Sequence, residues 1–252
     1  MKHILFFSLP LLLLVLSCSD NEPTESNSIG DAFLNAKIIG TWTRGDYQTI
    51  TFDPNGNFEE ILDYKYVDTT IENAEIKRGT YDILNGVLSY TSITEWSINL
   101  PNNYKSTFEP LENNEGYVER IIPVFKIQFE GDLMYWRPLD ILVSEDNNTN
   151  ELWGNWKCYQ WALEKEYFTN NRTVRKLIWE YNFNKPRMEA IIGAKFLGDS
   201  SFTYANYSYE LFYDPPEIRW GGNFIRTAEF HNNQLWITSA YNNNPDPYRR
   251  EK

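Results

Sequence analysis

The chain has few of the residues on which enzyme chemistry most often depends. Its 252 residues include two cysteines, Cys18 and Cys158, and two histidines, His3 and His231. A zinc site of the His/Cys type needs several such ligands, so we expect no metal centre of that kind. The sequence also lacks a phosphate-binding loop and a dinucleotide fingerprint. We therefore expect no cofactor, no catalytic residues and no enzymatic activity.

Positive charge is scarce as well. The chain carries 23 Lys and Arg against 35 Asp and Glu, which gives a net charge of −12 at pH 7. An acidic surface repels the phosphate backbone of nucleic acids and the anionic face of a membrane. We expect neither a nucleic-acid partner nor a basic membrane-binding face.

Helical periodicity is nearly absent from the sequence. Only Asp31 to Ile39 has apolar residues at helical spacing, and this stretch is long enough for a turn or two. Elsewhere apolar and polar residues alternate with a period of two, as Phe125, Ile127 and Phe129 do, which is typical of half-buried strands. The sequence predicts an all-β protein of short strands and polar turns, as in barrels or sandwiches.

The chain begins with an apolar stretch that ends at a cysteine. Residues 4–16 are shorter than the about 20 apolar residues that a membrane-spanning helix needs, and with Lys2 before them they suit a secretory signal. Residues 15–18 (Val-Leu-Ser-Cys) resemble the lipobox of bacterial lipoproteins. The resemblance implies that residues 1–17 are a signal peptide and that two or three acyl chains on Cys18 anchor the chain in the membrane. An ordinary signal peptide followed by a chance cysteine is the alternative.

A polar, acidic segment follows the cysteine. Residues 19–28 contain no bulky apolar group, and we expect residues 18–36 to form a flexible acidic tether. A short acidic stretch at this place is similar to the surface-export signal of Bacteroidota lipoproteins. It implies a lipid-anchored outer-membrane protein, with the cell surface favoured over the inner leaflet; a plain solvated spacer is the alternative.

Two segments of the chain match each other. Residues 38–43 (Ile-Ile-Gly-Thr-Trp-Thr) resemble residues 152–157 (Leu-Trp-Gly-Asn-Trp-Lys), and each opens a run of strands. The two runs end in similar hairpins, at residues 129–133 and 230–235, and a repeat of this length predicts two domains. The expected divisions after the tether are a first domain at 37–143, a linker at 144–150, a second domain at 151–241 and a disordered tail at 242–252.

The first unit resembles the lipocalin-like domain that is frequent in lipoproteins of Bacteroidota. The resemblance rests on Gly-x-Trp at residues 40–42, on the hairpin of residues 50–58 with its Asp-Pro-Asn-Gly turn, and on the strand that begins at Gly79. The second unit keeps Gly-x-Trp and the closing hairpin but has no such turn. The resemblance implies two small antiparallel lipocalin-like β-barrels in tandem, with β-sandwich domains as the alternative. In such a barrel the indoles of Trp42 and Trp156 can plug the closed end, so we interpret both as structural.

An eight-stranded barrel holds side chains or one small ligand. The resemblance therefore implies a non-enzymatic lipoprotein that allows binding of a small hydrophobic or amphipathic ligand. The alternative function is a carbohydrate-binding accessory lipoprotein with an exposed aromatic platform, although filling of the core is the competing interpretation for each aromatic residue. Neither the ligand nor the oligomeric state follows from the sequence. The residues considered for the platform are Trp96, Tyr104, Trp161, Tyr204, Tyr207, Trp220 and Trp236.

Other groups that could carry chemistry have plainer interpretations. Cys158 suits a small buried position in a strand, and His231 lies in a predicted hairpin turn, so we expect no Cys/His pair. Glu59 and Glu60 are adjacent and should point to opposite faces of a strand.

Three further patterns are weak. Glu164 and Glu166 could share one face of a strand, but nothing provides them with a substrate. Residues 53–57 (Asp-Pro-Asn-Gly-Asn) look like part of a calcium loop but lack its other ligands, which favours a hairpin turn. Residues 68–70 (Asp-Thr-Thr) resemble the O-glycosylation motif of Bacteroidota.

Overall fold

The computed structural model shows an all-β protein, which confirms the all-β part of the predicted fold class. It describes residues 25–66, 69–100, 116–145, 152–166, 169, 171–184, 187–213, 216–220, 224–231, 233–239 and 247–251. The helices in these ranges are α1 (Glu25–Ile38) and a short 3-10 helix (Tyr64–Tyr66). The strands are β1 (Gly40–Arg44), β2 (Gln48–Phe52), β3 (Asn57–Leu62), β4 (Glu75–Leu84), β5 (Val87–Ile98), β6 (Gly116–Ile122), β7 (Val124–Glu130), β8 (Leu133–Ser144), β9 (Gly154–Glu166), β10 (Arg172–Asn184), β11 (Glu189–Phe196), β12 (Thr203–Tyr213), β13 (Pro216–Trp220), β14 (Phe224–His231), β15 (Gln234–Ser239) and β16 (Tyr248–Arg250).

The β2–β3 hairpin forms where the sequence predicts it. Phe52 lies opposite Phe58, and both side chains are buried. Between the strands, Oδ1 of Asp53 accepts hydrogen bonds from the backbone N–H groups of Asn55 and Asn57, each at 2.8 Å. Asp53 therefore uses its carboxylate to hold a turn, as Asp commonly does.

Eight strands close into an antiparallel barrel, which we name the first barrel. The order is β16-β1-β2-β3-β4-β5-β7-β8, and β8 pairs back to β16. At this seam Trp42 lies opposite Arg250, and Met134 lies opposite Tyr248. The ring of strands is therefore closed, although β5 and β7 pair only through Val87–Leu88 and Phe125–Lys126.

The remaining strands form what we name the second sheet. β9 to β15 are antiparallel neighbours in chain order, and the two end strands, β9 and β15, both pair with the C-terminal part of β8. Leu142 of β8 lies opposite Leu235, and Ser144 of β8 lies opposite Trp156. The long strand β8 thus belongs to the first barrel through its N-terminal half and to the second sheet through its C-terminal half.

Two strands cross the boundaries expected from the sequence. β6 comes from the expected first domain but pairs with β9, where Ile122 lies opposite Trp161. β16 comes from residues 242–252, for which the prediction of disorder was wrong over Tyr248–Arg250. Tyr248 is only 4% exposed and packs in the core of the first barrel. A strand of three residues is too short for its alternation to be recognised in a sequence.

The helix α1 covers residues 25–36 of the expected tether, and residues 18–24 lie outside the described residues. Glu25–Ile38 is helical, and its last residue is fully buried. The carboxylate of Asp31 accepts hydrogen bonds from the backbone N–H groups of Asn85 (2.7 Å) and Gly86 (2.9 Å) in the turn between β4 and β5. Contacts with the barrel, rather than the helix's own periodicity, therefore stabilise it. Within the described part of the chain, no helix is long and apolar enough to span a membrane.

Candidate functional site: the interior of the barrel and the inner face of the second sheet

The two tryptophans of the repeat make the same hydrogen bond. Nε1 of Trp42 donates to the carbonyl of Ile38 at 2.7 Å, and Nε1 of Trp156 donates to the carbonyl of Leu152 at 2.8 Å. Trp42 is 0% exposed and Trp156 is 1% exposed. Each indole thus joins the start of its strand to the segment before it. We define the inner face of the second sheet as the face that carries Trp156.

The glycine of each Gly-x-Trp has the same backbone conformation. The φ angles of Gly40 and Gly154 are +125° and +121°. Residues with a side chain rarely adopt this backbone conformation. A phenylalanine from the closing hairpin lies beside each tryptophan: the ring of Phe129 is centred 5.4 Å from Trp42, and that of Phe230 is centred 6.4 Å from Trp156. These equivalent contacts relate the residues of the first barrel to those of the second sheet.

Aromatic rings occupy the interior of the first barrel. Phe58 and Tyr90 are stacked with their centroids 3.8 Å apart. Trp136 lies with its centroid 4.1 Å from that of Phe125 and 5.4 Å from that of Tyr248. The barrel therefore fills much of its interior with its own side chains.

At one equivalent position the second sheet has a much smaller residue. Phe52 lies opposite Gly40, and Phe183 lies opposite Gly154, so these two phenylalanines correspond. The next residue across is Phe58 in the first barrel and Ala190 in the second sheet. A buried aromatic side chain is thus replaced by a methyl group.

A second pair of positions shows the same change. Counting back from Phe129 and Phe230, Ile127 corresponds to Ala228, and the residues opposite them are Trp136 and Ile237. Both replacements are smaller side chains at these positions, whereas Tyr181 and Tyr207 are larger than Ile50 and Gly79, to which they correspond.

A polar network lies inside the first barrel. Nζ of Lys77 is 3.0 Å from Oε2 of Glu60 and 3.1 Å from Oε1 of Glu75. Gln48 donates to the other oxygen of Glu60 at 2.7 Å, and the indole of Trp96 donates to Oε1 of Glu75 at 3.0 Å. All three charged side chains are buried. Buried charges are tolerated when they are paired and hydrogen-bonded in this way.

The network keeps Lys77 charged. Burial on its own lowers the pKa of Lys77, but the charges of Glu60 and Glu75 outweigh it and raise the pKa above the ordinary 10.5. A lysine that acts as a nucleophile needs a lowered pKa. Lys77 is therefore a structural cation.

The inner face of the second sheet carries a different polar group of residues. Oδ2 of Asp140 accepts from Nη1 of Arg226 at 2.7 Å, and Oδ1 accepts from the side-chain amide of Gln160 at 2.6 Å. The indole of Trp179 donates to Oε1 of Gln160 at 2.9 Å. Burial raises the pKa of Asp140, although Arg226 and Gln160 oppose the shift. Ile237 lies directly opposite Asp140, so a charged pair borders the positions with reduced side-chain volume.

Cys158 and His231 do not form a pair. Cys158 is 3% exposed on the inner face, as predicted, and burial raises the pKa of its thiol well above the usual value. His231 is the last residue of β14 rather than part of a turn. Its side chain follows Phe230 and points to the opposite face, where its ring stacks on Trp236 with the centroids 4.0 Å apart.

The candidate carboxylates are all engaged elsewhere. Glu60 points into the barrel, whereas Glu59 points outward and accepts from Nε of Arg78 at 2.5 Å, so the predicted opposition of the two is confirmed. Glu164 pairs with Arg175 at 3.0 Å, and Glu166 accepts from the side chains of Thr169 and Asn171. No facing pair arises among these four acids.

The aromatic residues considered for a platform separate into two groups. Trp96 and Trp236 are buried, and Trp161 is partly buried against the core of the first barrel. Tyr204 and Tyr207 are 57% and 46% exposed. Tyr207 lies opposite Ala190 on the inner face, whereas Tyr204 lies opposite Gly193 on the outer face.

Several sequence-based predictions lie outside the described residues. These are the signal peptide at 1–17, the lipidation site Cys18, residue 68 of the glycosylation motif, Tyr104 and most of the linker at 144–150. The side chain of Trp220 is outside the description as well.

Sequence reasoning missed both polar groups. The residues two positions before and after a strand residue lie on the same face as that residue. By this alternation, apolar side chains are expected at the inward-facing positions that are occupied by Glu60, Lys77 and Asp140. A charged residue in the apolar phase of a strand is the signal that could have indicated them.

In comparisons with protein-family models, with curated proteins and with solved structures, nothing matches this chain significantly.

Proposed function

We propose that this chain is a non-enzymatic lipoprotein of the outer membrane or cell surface, anchored through Cys18, with two lipocalin-like barrels in tandem. The second barrel consists of β9 to β15 and the C-terminal part of β8. Its inner face binds one small hydrophobic or amphipathic ligand, whereas the first barrel serves as the support.

The observation that supports this proposal is the group of small side chains at two positions on the inner face of the second sheet. Ala190 and Ala228 stand where the first barrel has Phe58 and Ile127. Ligand sites are usually lined by apolar groups with a few polar ones. Tyr207, which faces the same side as Ala190, is almost half exposed, so solvent reaches this face.

The Asp140–Arg226 pair favours an amphipathic ligand over a purely apolar one. Its two charged groups lie beside Ile237 and can orient a polar end, while the small apolar side chains accommodate the remainder.

Native mass spectrometry of the protein purified from its own cells tests the binding function. We expect a co-purifying small molecule in the wild type and its loss in Ala190→Phe and Ala228→Ile, which restore the residues of the first barrel. The control is Ser97→Phe at an exposed position of β5, which should retain the molecule. A wild-type protein without a bound molecule, or a molecule retained in both inner-face variants, would contradict the proposal.

The anchor is tested separately. Intact-mass analysis should show acyl chains on the wild type, and Cys18→Ser should release the protein from the membrane fraction. Proteolysis of intact cells then distinguishes surface display from the inner leaflet. An unmodified Cys18 in membrane-bound protein would show that the anchor is not a lipid.

A further inference from the structure

A cavity of about 180 Å³ lies against β9 to β12 of the second sheet. Its volume is below the roughly 300–1,000 Å³ of sites for drug-sized ligands, so it suits a single small ring. The polar and aromatic side chains that line it belong mostly to the outer face, opposite the side chains discussed above. Its lining includes Glu145, Asn155, Glu180, Asn182 and Tyr204.

Tyr204 is an exposed aromatic residue that is held in place. It lies opposite Gly193, and a Cβ added at Gly193 would be 2.4 Å from Cε1 of the Tyr204 ring. The ring therefore rests on the backbone of β11 because no side chain stands there. Its hydroxyl donates to Oε2 of Glu180 at 3.1 Å. The ring is thus fixed in one orientation although more than half of its surface meets solvent.

Polar side chains surround this ring. Nδ2 of Asn182 donates to Oδ1 of Asn155 at 2.6 Å, so the two side-chain amides lie next to each other at the cavity wall. Lys157 pairs with Glu145 and lies 3.4 Å from Oε1 of Glu180. Two carboxylates against one ammonium give the cavity a net negative charge, which disfavours phosphates and other anions.

A ligand that fits must be uncharged, must contain a ring, and must present an apolar face together with many hydroxyl groups. A hexopyranose has this combination: its C–H face can stack on an aromatic ring, and its hydroxyls can donate to carboxylates and accept from amides. We propose that this outer-face cavity binds one neutral pyranose unit of a glycan. Tyr204 is the stacking platform, Glu145 and Glu180 accept hydrogen bonds from the hydroxyl groups, and the side-chain amide of Asn182 lies beside them. The site does not depend on a ligand at the inner face.

Saturation-transfer NMR of the full chain in detergent, with glucose, galactose, mannose and N-acetylglucosamine as separate probes, tests the proposal. At least one sugar should show transfer to its ring protons. Tyr204→Ala should weaken that binding about tenfold, as expected for the loss of one aromatic contact. Gly193→Val should weaken it too, because the added side chain displaces the ring. The matched control is Tyr207→Ala, an exposed tyrosine of the same strand on the other face, which should leave sugar binding unchanged.

Two results would overturn the proposal. One is the absence of transfer to all four sugars in folded wild-type protein, and the other is sugar binding that survives Tyr204→Ala. A lysine tripeptide serves as a further probe. If the tripeptide binds, the sugars do not, and Glu145→Gln and Glu180→Gln abolish that binding, then the cavity is a site for cationic groups instead. None of these results bears on the co-purified ligand, so this site and the inner face are tested independently.

Discussion

Trp42 and Trp156 are 114 residues apart in the sequence and make the same hydrogen bond, each to the carbonyl four residues before it. They also share a preceding glycine with positive φ and a neighbouring phenylalanine from a hairpin. Arg250 of β16 lies opposite Trp42, and Ser144 of β8 lies opposite Trp156, so the two strands are paired in the same register. The end of β8 thus completes the second sheet as β16 completes the first barrel.

We expect Trp42→Phe and Trp156→Phe to destabilise the protein by similar amounts. Each variant leaves a buried carbonyl without its donor, which costs about 1–3 kcal/mol. Urea unfolding followed by circular dichroism gives the free energy of unfolding. Tyr159→Phe, at an exposed aromatic residue, is the control and should unfold as the wild type does. A large loss in one tryptophan variant and none in the other would show that the two positions are not equivalent.

The local parts of the structure could be predicted from the sequence. Alternation gave the strands, the Asp-Pro-Asn-Gly segment gave the turn at Asp53, and adjacency on a strand separated Glu59 from Glu60. The match between residues 38–43 and 152–157 identified Trp42 and Trp156 as equivalent residues. The other inferences depend on residues within a few positions of each other, and the repeat depends on a short local motif that occurs twice.

What could not be predicted depends on contacts between distant segments. β16 joins the first barrel across more than 200 residues, and α1 is held by Asp31 against the turn at Asn85 and Gly86. The polar network inside the first barrel could not be predicted for a different reason. Lys77 is stable inside only because two carboxylates on its own and the neighbouring strand meet it there, and periodicity contains no information on such partners.

Lys77→Met should destabilise the protein strongly. The substitution keeps an apolar chain of similar length but leaves Glu60 buried without its cation and leaves Glu75 with only Arg120, whose Nε lies 3.9 Å away. Breaking a buried pair in this way costs about 3–5 kcal/mol. Combining it with Glu60→Gln and Glu75→Gln should recover part of the loss, because no buried carboxylate then lacks a partner. Chemical denaturation of the single and triple variants measures both effects. A single variant as stable as the wild type would show that the network contributes nothing.

The same network makes stability depend on pH in the alkaline range. The pKa of Lys77 is raised in the folded protein above its ordinary 10.5, so the folded state holds this proton more tightly than the unfolded state does. The stabilisation is complete below pH 10.5 and declines as the pH rises towards the folded value. Thermal unfolding between pH 8 and about 11.5 should show a difference between wild type and Lys77→Met that is constant at first and then shrinks. A difference that grows above pH 10.5 would contradict the direction of the shift.

Cys158 should react slowly with thiol reagents while the protein is folded. Burial and the charge of Asp140 raise the pKa of its thiol, and the thiolate is the reactive form. In a Cys18→Ser background, labelling with a disulfide reagent at pH 8 should be slow in buffer and rapid in urea. A Ser97→Cys, Cys158→Ser variant carries an exposed thiol as the control and should react quickly in both. Fast labelling of native Cys158 would mean that the inner face of the second sheet opens readily.

Removal of residues 247–252 should open the first barrel. The deletion takes away the side chain of Tyr248, which stacks on Trp136, and loss of a buried aromatic side chain costs about 3–5 kcal/mol. It also leaves β1 unpaired on one side, and such an edge pairs readily with another chain. We expect a lower free energy of unfolding, and dimers or larger species in light scattering after size-exclusion chromatography. Removal of residues 251–252 alone keeps β16 and is the control. If the longer deletion stays monomeric and fully stable, then β16 does not close the barrel in solution.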